Sequence, residues 1–206
     1  MTLATWLTVV TICILGAMSP GPSLALVLKQ TLTGGRRNGI MTALSHGIGV
    51  GIYAFLSILG LAAIITASPT AFSILQWGGA LYLAWLGVKG LMAKRQADDE
   101  LPEPPTTKSA ARDGFLIAFF NPKIAVFFLA LFSQVVGTDT SLMAKFGYAA
   151  TALVIDTSWY LIVAWLFSNP KWLTLLRQKA VWFERIFGAI LIGLAGRLVV
   201  VILNGK

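Results

Sequence analysis

Charge, cysteine and histidine are all scarce in this chain. Only 12% of its 206 residues are charged, against roughly a quarter in soluble domains, and no charged side chain occurs from Asn38 to Val88. A 22.1 kDa protein has too little interior to bury that stretch, which excludes a soluble helical bundle and argues against a soluble enzyme. The single cysteine, Cys13, lies in an apolar run and reads as a small apolar filler. One cysteine excludes an intramolecular disulfide and any multi-cysteine metal site. With one histidine, His46, no zinc-type ligand cluster and no Ser/His/Asp spacing, the chain offers no catalytic constellation, so neither a metal nor a cofactor is expected. The first charged side chain is Lys29, and Val10-Thr11-Ile12-Cys13 is no lipid-attachment pattern. The first apolar segment is therefore expected to stay in the mature protein.

What the chain does have is apolar sequence, 57% of the total, with a mean hydropathy of +0.80. Six segments reach the ~20 residues that a spanning helix needs: Leu3 to Leu28, Ile40 to Thr66, Ala71 to Met92, Gly114 to Val136, Ala144 to Ser168 and Trp182 to Leu203. The connections alternate in charge. Lys29, Arg36 and Arg37 flank or fill the first, Lys94, Arg95, Lys108 and Arg112 the third, and Lys171, Arg177 and Lys179 the fifth, whereas the connections around Pro69 and from Thr138 to Met143 hold no Lys or Arg. By the positive-inside rule the three basic connections face the cytoplasm and both termini face outward. The net charge of +8 thus sets orientation in the bilayer, and no nucleic-acid partner is expected.

The third connection, 93–113, strings together acidic residues, Pro102, Pro104, Pro105 and Thr/Ser, the composition of a cytoplasmic linker. It divides a single membrane domain, 1–206, into repeat 1 (1–92) and repeat 2 (114–206), with three spans each. Three is odd, so the second group is inverted relative to the first. Each half opens on a proline-broken apolar segment, Ser19-Pro20-Gly21-Pro22 in one and Asn121-Pro122-Lys123 in the other. Each half also closes on a Gly-Ala followed by a second glycine, Gly79-Ala80 with Gly87 and Gly188-Ala189 with Gly196. The expected fold is an all-α integral membrane protein of six transmembrane helices, two inverted three-helix repeats with Pro-broken first and fourth helices. The first break lies deep in its span and the second only a few residues into its own, which sits badly with a strict mirror.

Proline inside a span removes a backbone donor and frees carbonyls from the helical ladder. Hydrocarbon cannot satisfy freed groups, so such breaks persist where a polar cavity or a neighbouring helix supplies partners. Pro20, Gly21, Pro22, Asn121 and Pro122 are accordingly candidate substrate-binding residues. Lys123 lies roughly 13 Å into its span at the helical rise, too deep for its stem to reach either surface comfortably, and Asp156 sits at the middle of the fifth span. Intramembrane charges cost at least about 2.5–3.5 kcal/mol each, which makes both functional candidates. A structural ion pair between them is the bland account. The functional account has Lys123 attract a carboxylate while Asp156 answers an ammonium group or carries a proton. Arg197, close to a span end, can snorkel. His46 opens a small-residue ridge with Gly47 and Gly51, and a packed polar residue is the simpler account of it than a proton relay; the ridge Gly39, Ala43, Gly47, Gly51 reads as a close helix-packing face, within one chain or in a homo-oligomer.

These residues resemble the lysine exporter and threonine/homoserine efflux family, also called the LysE/RhtB family. The matching pieces are Ser19-Pro-Gly-Pro22, the turn Gly34-Gly35-Arg36-Arg37-Asn38-Gly39, Gly79-Ala-Leu-Tyr-Leu-Ala-Trp-Leu-Gly87, Phe120-Asn-Pro-Lys123 and Asp156, in order along nearly the whole chain apart from the linker. The resemblance implies a bacterial inner-membrane exporter of amino acids or their derivatives, working by proton antiport, with the two breaks and Asp156 as its polar centre and Asp156 as the proton-coupling group. The partners so implied are an amino-acid substrate, protons and the lipid bilayer. Competing readings are a membrane-embedded enzyme acting on lipid-type substrates and a passive channel or adaptor.

Overall fold

The computed structural model describes residues 3–19, 21–92, 107–137 and 139–204; Pro20 and the linker as far as residue 106 lie outside the described residues. Among these residues the chain is entirely helical, without strands. The helices are α1 (Leu3–Ala17), α2 (Pro22–Ala67), α3 (Pro69–Leu91), α4 (Thr107–Phe119), α5 (Pro122–Phe132), α6 (Leu142–Phe167) and α7 (Pro170–Leu203). Proline opens four of them, where its missing N–H would have no intrahelical partner and its fixed φ suits the first turn. Side chains cap three N-termini: Ser68 Oγ accepts from Ala71 N at 3.2 Å, Asn121 Oδ1 from Lys123 N at 3.0 Å, and Ser141 Oγ from Ala144 N at 3.3 Å.

α2 is two helices in one. At Gly35 the backbone takes φ 77 and ψ 174, a conformation reserved for glycine, and the chain doubles back. Two observations establish the reversal. A Cβ on Gly39 would lie 2.1 Å from Thr31 Oγ1, and Val27 shares a buried cluster with Ala43, Tyr160, Val163 and Ala164. In an unbroken helix, residues that far apart in sequence would be separated by more than 10 Å at 1.5 Å per residue. The expected loop over residues 30–39 is thus helix on both sides of one glycine.

The polarity of the molecule is inside out. On the second part of α2, Leu44, Ile48, Ile52 and Leu56 face outward, between 41% and 51% exposed, while Thr42 and His46 are at most 1% exposed. Gln30, Asn38, Gln76, Asn121 and Asp156 are also buried, and Ile74, Leu81, Trp85, Phe146, Trp165 and Val200 lie on the outside. An apolar exterior, with polar side chains gathered inside among an apolar core, suits hydrocarbon, not water.

The small-residue ridge lies against α6. Cβ atoms at Gly47 and Gly51 would fall 1.8 Å from Thr157 Oγ1 and 2.6 Å from Leu153 Cδ1. α4 docks on α2 through Ala110, Gly114 and Ala118, one small residue per turn; a Cβ on Gly114 would meet Thr42 O at 2.6 Å. α3 and α7 cross at Gly87 and Gly188, so closely that a Cβ on Gly188 would lie 2.5 Å from Gly87 O.

Six full spans were expected, and the described residues divide differently. Three helices are long and apolar enough to cross a bilayer: Pro22–Ile64, of which the arm after Gly35 has the length, Thr70–Leu91 and Leu142–Phe167. A fourth crossing arises if the pair Thr107–Phe119 and Lys123–Phe132, bent by 49°, is one broken span; Leu3–Ala17 and Gly188–Val200 are shorter apolar helices. The physical reason is that the breaks before Pro22 and Pro122 cut the first and fourth apolar segments into pieces shorter than the hydrocarbon, as proline dictates. A second difference concerns the linker: helix begins at Thr107, so 107–113 belongs to α4 and the break at Asn121 follows a helix of 13 residues, close to the 15 of α1.

Candidate functional site

The two proline breaks meet. Asn121, the cap of α5, donates from Nδ2 to Ser23 Oγ in the first turn of α2 at 3.4 Å, and the Lys123 ammonium donates to Ser19 Oγ on the other side of the first break. Gly21, which precedes α2, has extended backbone and no side chain to cap the helix. A Cβ there would lie 3.2 Å from Lys123 Nζ, so glycine is what leaves the ammonium room. The N-termini of α2 and α5, each with the positive end of its backbone dipole, are thereby brought to the same place as a lysine.

A cavity of about 60 Å³, room for a few waters, opens at this junction. Its polar lining comes from Ser19, Gly21, Ser23, Asn121, Lys123, His46, Asp156 and Tyr160, and its apolar walls from Cys13, Gly16, Val50, Phe127 and Phe128 among others. Gly16 lets the ring of Phe127 close against α1, since a Cβ there would fall 2.5 Å from the ring. Among the described residues, α3, α4 and α7 contribute no lining residue.

Asp156, near the middle of α6, is 7% exposed, and His46 Nδ1 lies 2.7 Å from its Oδ2. The imidazole stands edge-on to the Tyr160 ring, centroids 4.8 Å apart at 73°. Ser23 at the start of α2 and Tyr160 on α6 line the same cavity. Among the described residues His46 Nε2 has no hydrogen-bond partner.

Of the residues singled out from sequence, Gly21, Pro22, Asn121, Lys123 and Asp156 all line this one cavity, and the backbone of Pro122 joins two of them. Pro20 lies outside the described residues. The atom found on the Asp156 carboxylate is His46 Nδ1, and the Lys123 ammonium meets Ser19. His46 is packed, as its simpler account has it, and it also holds the aspartate. Ser19, Ser23 and Tyr160 were not singled out. A spacing signal existed for each: Tyr160 is one helical turn beyond Asp156, and the two serines flank Pro-Gly-Pro. Arg197 is exposed, as snorkelling requires.

Residues 14–201 match the sequence profile of the LysE type translocator family. The chain is 30% identical over 200 residues to the threonine efflux protein of Escherichia coli (strain K12), covering 95% of this chain and 97% of that one. It is likewise 30% identical over 187 residues to the leucine efflux protein of Enterobacter sp. (strain 638), covering 87% of each. An uncharacterized membrane protein of Escherichia coli (strain K12), YahN, is 27% identical over 186 residues, covering 88% of this chain and 82% of that one. No solved structure matches.

Proposed function

The chain belongs to the LysE type translocator family, whose members are transporters and not enzymes, and from that premise we propose that it exports amino acids across the bacterial inner membrane by proton antiport. The observation that carries this reading is the cavity, in which a lysine, two helix N-termini and a buried aspartate line one small space inside an apolar-faced bundle. A zwitterion needs that set. Its carboxylate is attracted by Lys123 and by the backbone N–H groups at the starts of α2 and α5, as anions are at helix N-termini generally. Its ammonium group is answered by Asp156. The relatives named for threonine and leucine efflux support a neutral amino acid as substrate.

Coupling follows from competition. An ionised Asp156 holds the ammonium, and a proton arriving from outside neutralises the carboxylate and releases the substrate outward. Alternating access is then the rocking of one half against the other. An inverted repeat supports it. α1, the first part of α2, its second part and α3 correspond in order to α4, α5, α6 and α7, with a proline opening the second helix of each set. With α4 starting at Thr107, the two breaks also come at similar depths.

The test is export from cells loaded with a panel that includes threonine and leucine, with and without an uncoupler. Wild type is expected to give saturable, uncoupler-sensitive export of at least one member. Asp156→Asn is expected to abolish the uncoupler-sensitive part, and Lys123→Met to remove saturable binding. A flux that never saturates would speak for a channel, and normal export by both variants would reject this site.

A further inference from the structure

We propose that His46 and Asp156 form one proton-carrying unit, that its proton appears on His46 Nε2, and that its arrival there drives the conformational step of transport; the proposal rests on the exporter reading above. The 2.7 Å contact between Nδ1 and Oδ2 needs one hydrogen between the two atoms. With the carboxylate ionised, Nδ1–H donates and Nε2 is bare. One added proton gives either an imidazolium beside a carboxylate, or a neutral carboxyl donating to Nδ1 of the other tautomer. Both forms carry a hydrogen on Nε2.

That atom is the exposed nerve of the site. Nε2 is buried and has no hydrogen-bond partner among the described residues, and His46 as a whole is 1% exposed. A bare ring nitrogen also loses its hydration there, but the N–H of an imidazolium loses more, because a charged donor is the more strongly hydrated. The conformation seen here therefore suits the unprotonated pair. The protonated pair favours a conformation in which Nε2 reaches an acceptor or cavity water, and by linkage a conformation that changes proton affinity is itself selected by the proton.

The position of the pair gives that step leverage. His46 lies on α2 and Asp156 and Tyr160 on α6, and next to them Gly47 lets the backbone of α2 close on Thr157. Tyr160, edge-on to the imidazole, limits ring rotation, so re-partnering Nε2 requires the two long helices to shift. Among the described residues the other titratable groups lining the cavity are Cys13 on α1, Tyr160 on α6 and Lys123 on α5, and α3, α4 and α7 contribute none. Charge is consistent with exchange. The unprotonated pair carries one negative charge, which balances Lys123 and receives an ammonium, and the protonated pair is neutral and lets it go.

His46 is the only histidine in the chain, so selective ¹⁵N-histidine labelling of the full-length protein in lipid nanodiscs reports on this one ring. As the pH is lowered Nε2 is expected to pass from bare to protonated, and Asp156→Asn is expected to alter that response. In proteoliposomes with L-threonine as probe, His46→Asn can still donate to Asp156 but cannot take up a proton. With its own exchange at equal pH as the reference, it is expected to lose about tenfold of the acceleration that an acidic outer compartment produces. An Nε2 that stays in one state throughout, or a gradient response that survives in His46→Asn, overturns the proposal. Wild-type protein that carries no threonine counts against that substrate for the exporter reading, and the ¹⁵N titration still decides whether the pair takes up a proton.

Discussion

A single methyl group separates Gly21 from alanine. Placed there, it would lie 3.2 Å from the Lys123 ammonium, close enough to make the ammonium shift by a few tenths of an ångström from its place beside Ser19. Gly21→Ala is expected to leave the fold intact and to raise the substrate concentration for half-maximal export by about tenfold, about 1.4 kcal/mol of binding, measured by counterflow in proteoliposomes. At this scale much of the site was legible. Lys123 and Asp156 stand out because a charge among apolar residues is costly wherever the chain folds, and proline and glycine announce a broken helix without any tertiary information. The partner of Asp156 was not legible. His46 is 110 residues away in sequence, and its depth in the bundle depends on where α2 turns.

Gly35 decides that turn. Its φ of 77 and ψ of 174 suit glycine alone, so Gly35→Ala is expected to destabilise the protein by about 1–3 kcal/mol, read as a lower thermal midpoint of the purified protein in detergent. A second element-level test is the α3–α7 crossing. The Gly188→Val side chain would start 2.5 Å from Gly87 O and 2.7 Å from Leu91 N, which are backbone atoms that cannot swing aside. The helices must separate, at a cost of about 1–3 kcal/mol by the same measurement. The element most poorly read from sequence is α4. Lys108, Arg112 and Asp113 made 107–113 look like linker, yet Ala110, Gly114 and Ala118 recur every fourth residue and form the stripe that docks on α2. Small residues carry little hydrophobicity, so a stripe of them escapes a search for apolar runs.

At the scale of the whole molecule, the proposed orientation is set by the basic loops. A phosphatase that folds only outside the cytoplasm, fused after Lys206, is expected to be active, and the same enzyme inserted between Pro104 and Pro105 to be inactive. The reverse pattern would invert the topology and with it the direction from which a proton reaches Asp156.

Sequence alone was enough to mark the chain as apolar helix suited to a bilayer, to mark Lys123 and Asp156 as costly charges, and to mark two prolines as breaks. Those properties are local: each follows from the cost of placing a charge, a proline or an uncharged run in a given solvent. The tertiary structure alone decided that both breaks and α6 meet at one cavity, that α2 doubles back at Gly35, and that a histidine holds the aspartate. Such pairings depend on how deep each residue lies once the helices pack. Depth is fixed by turns and glycine contacts summed over the whole bundle, which no single stretch of sequence contains.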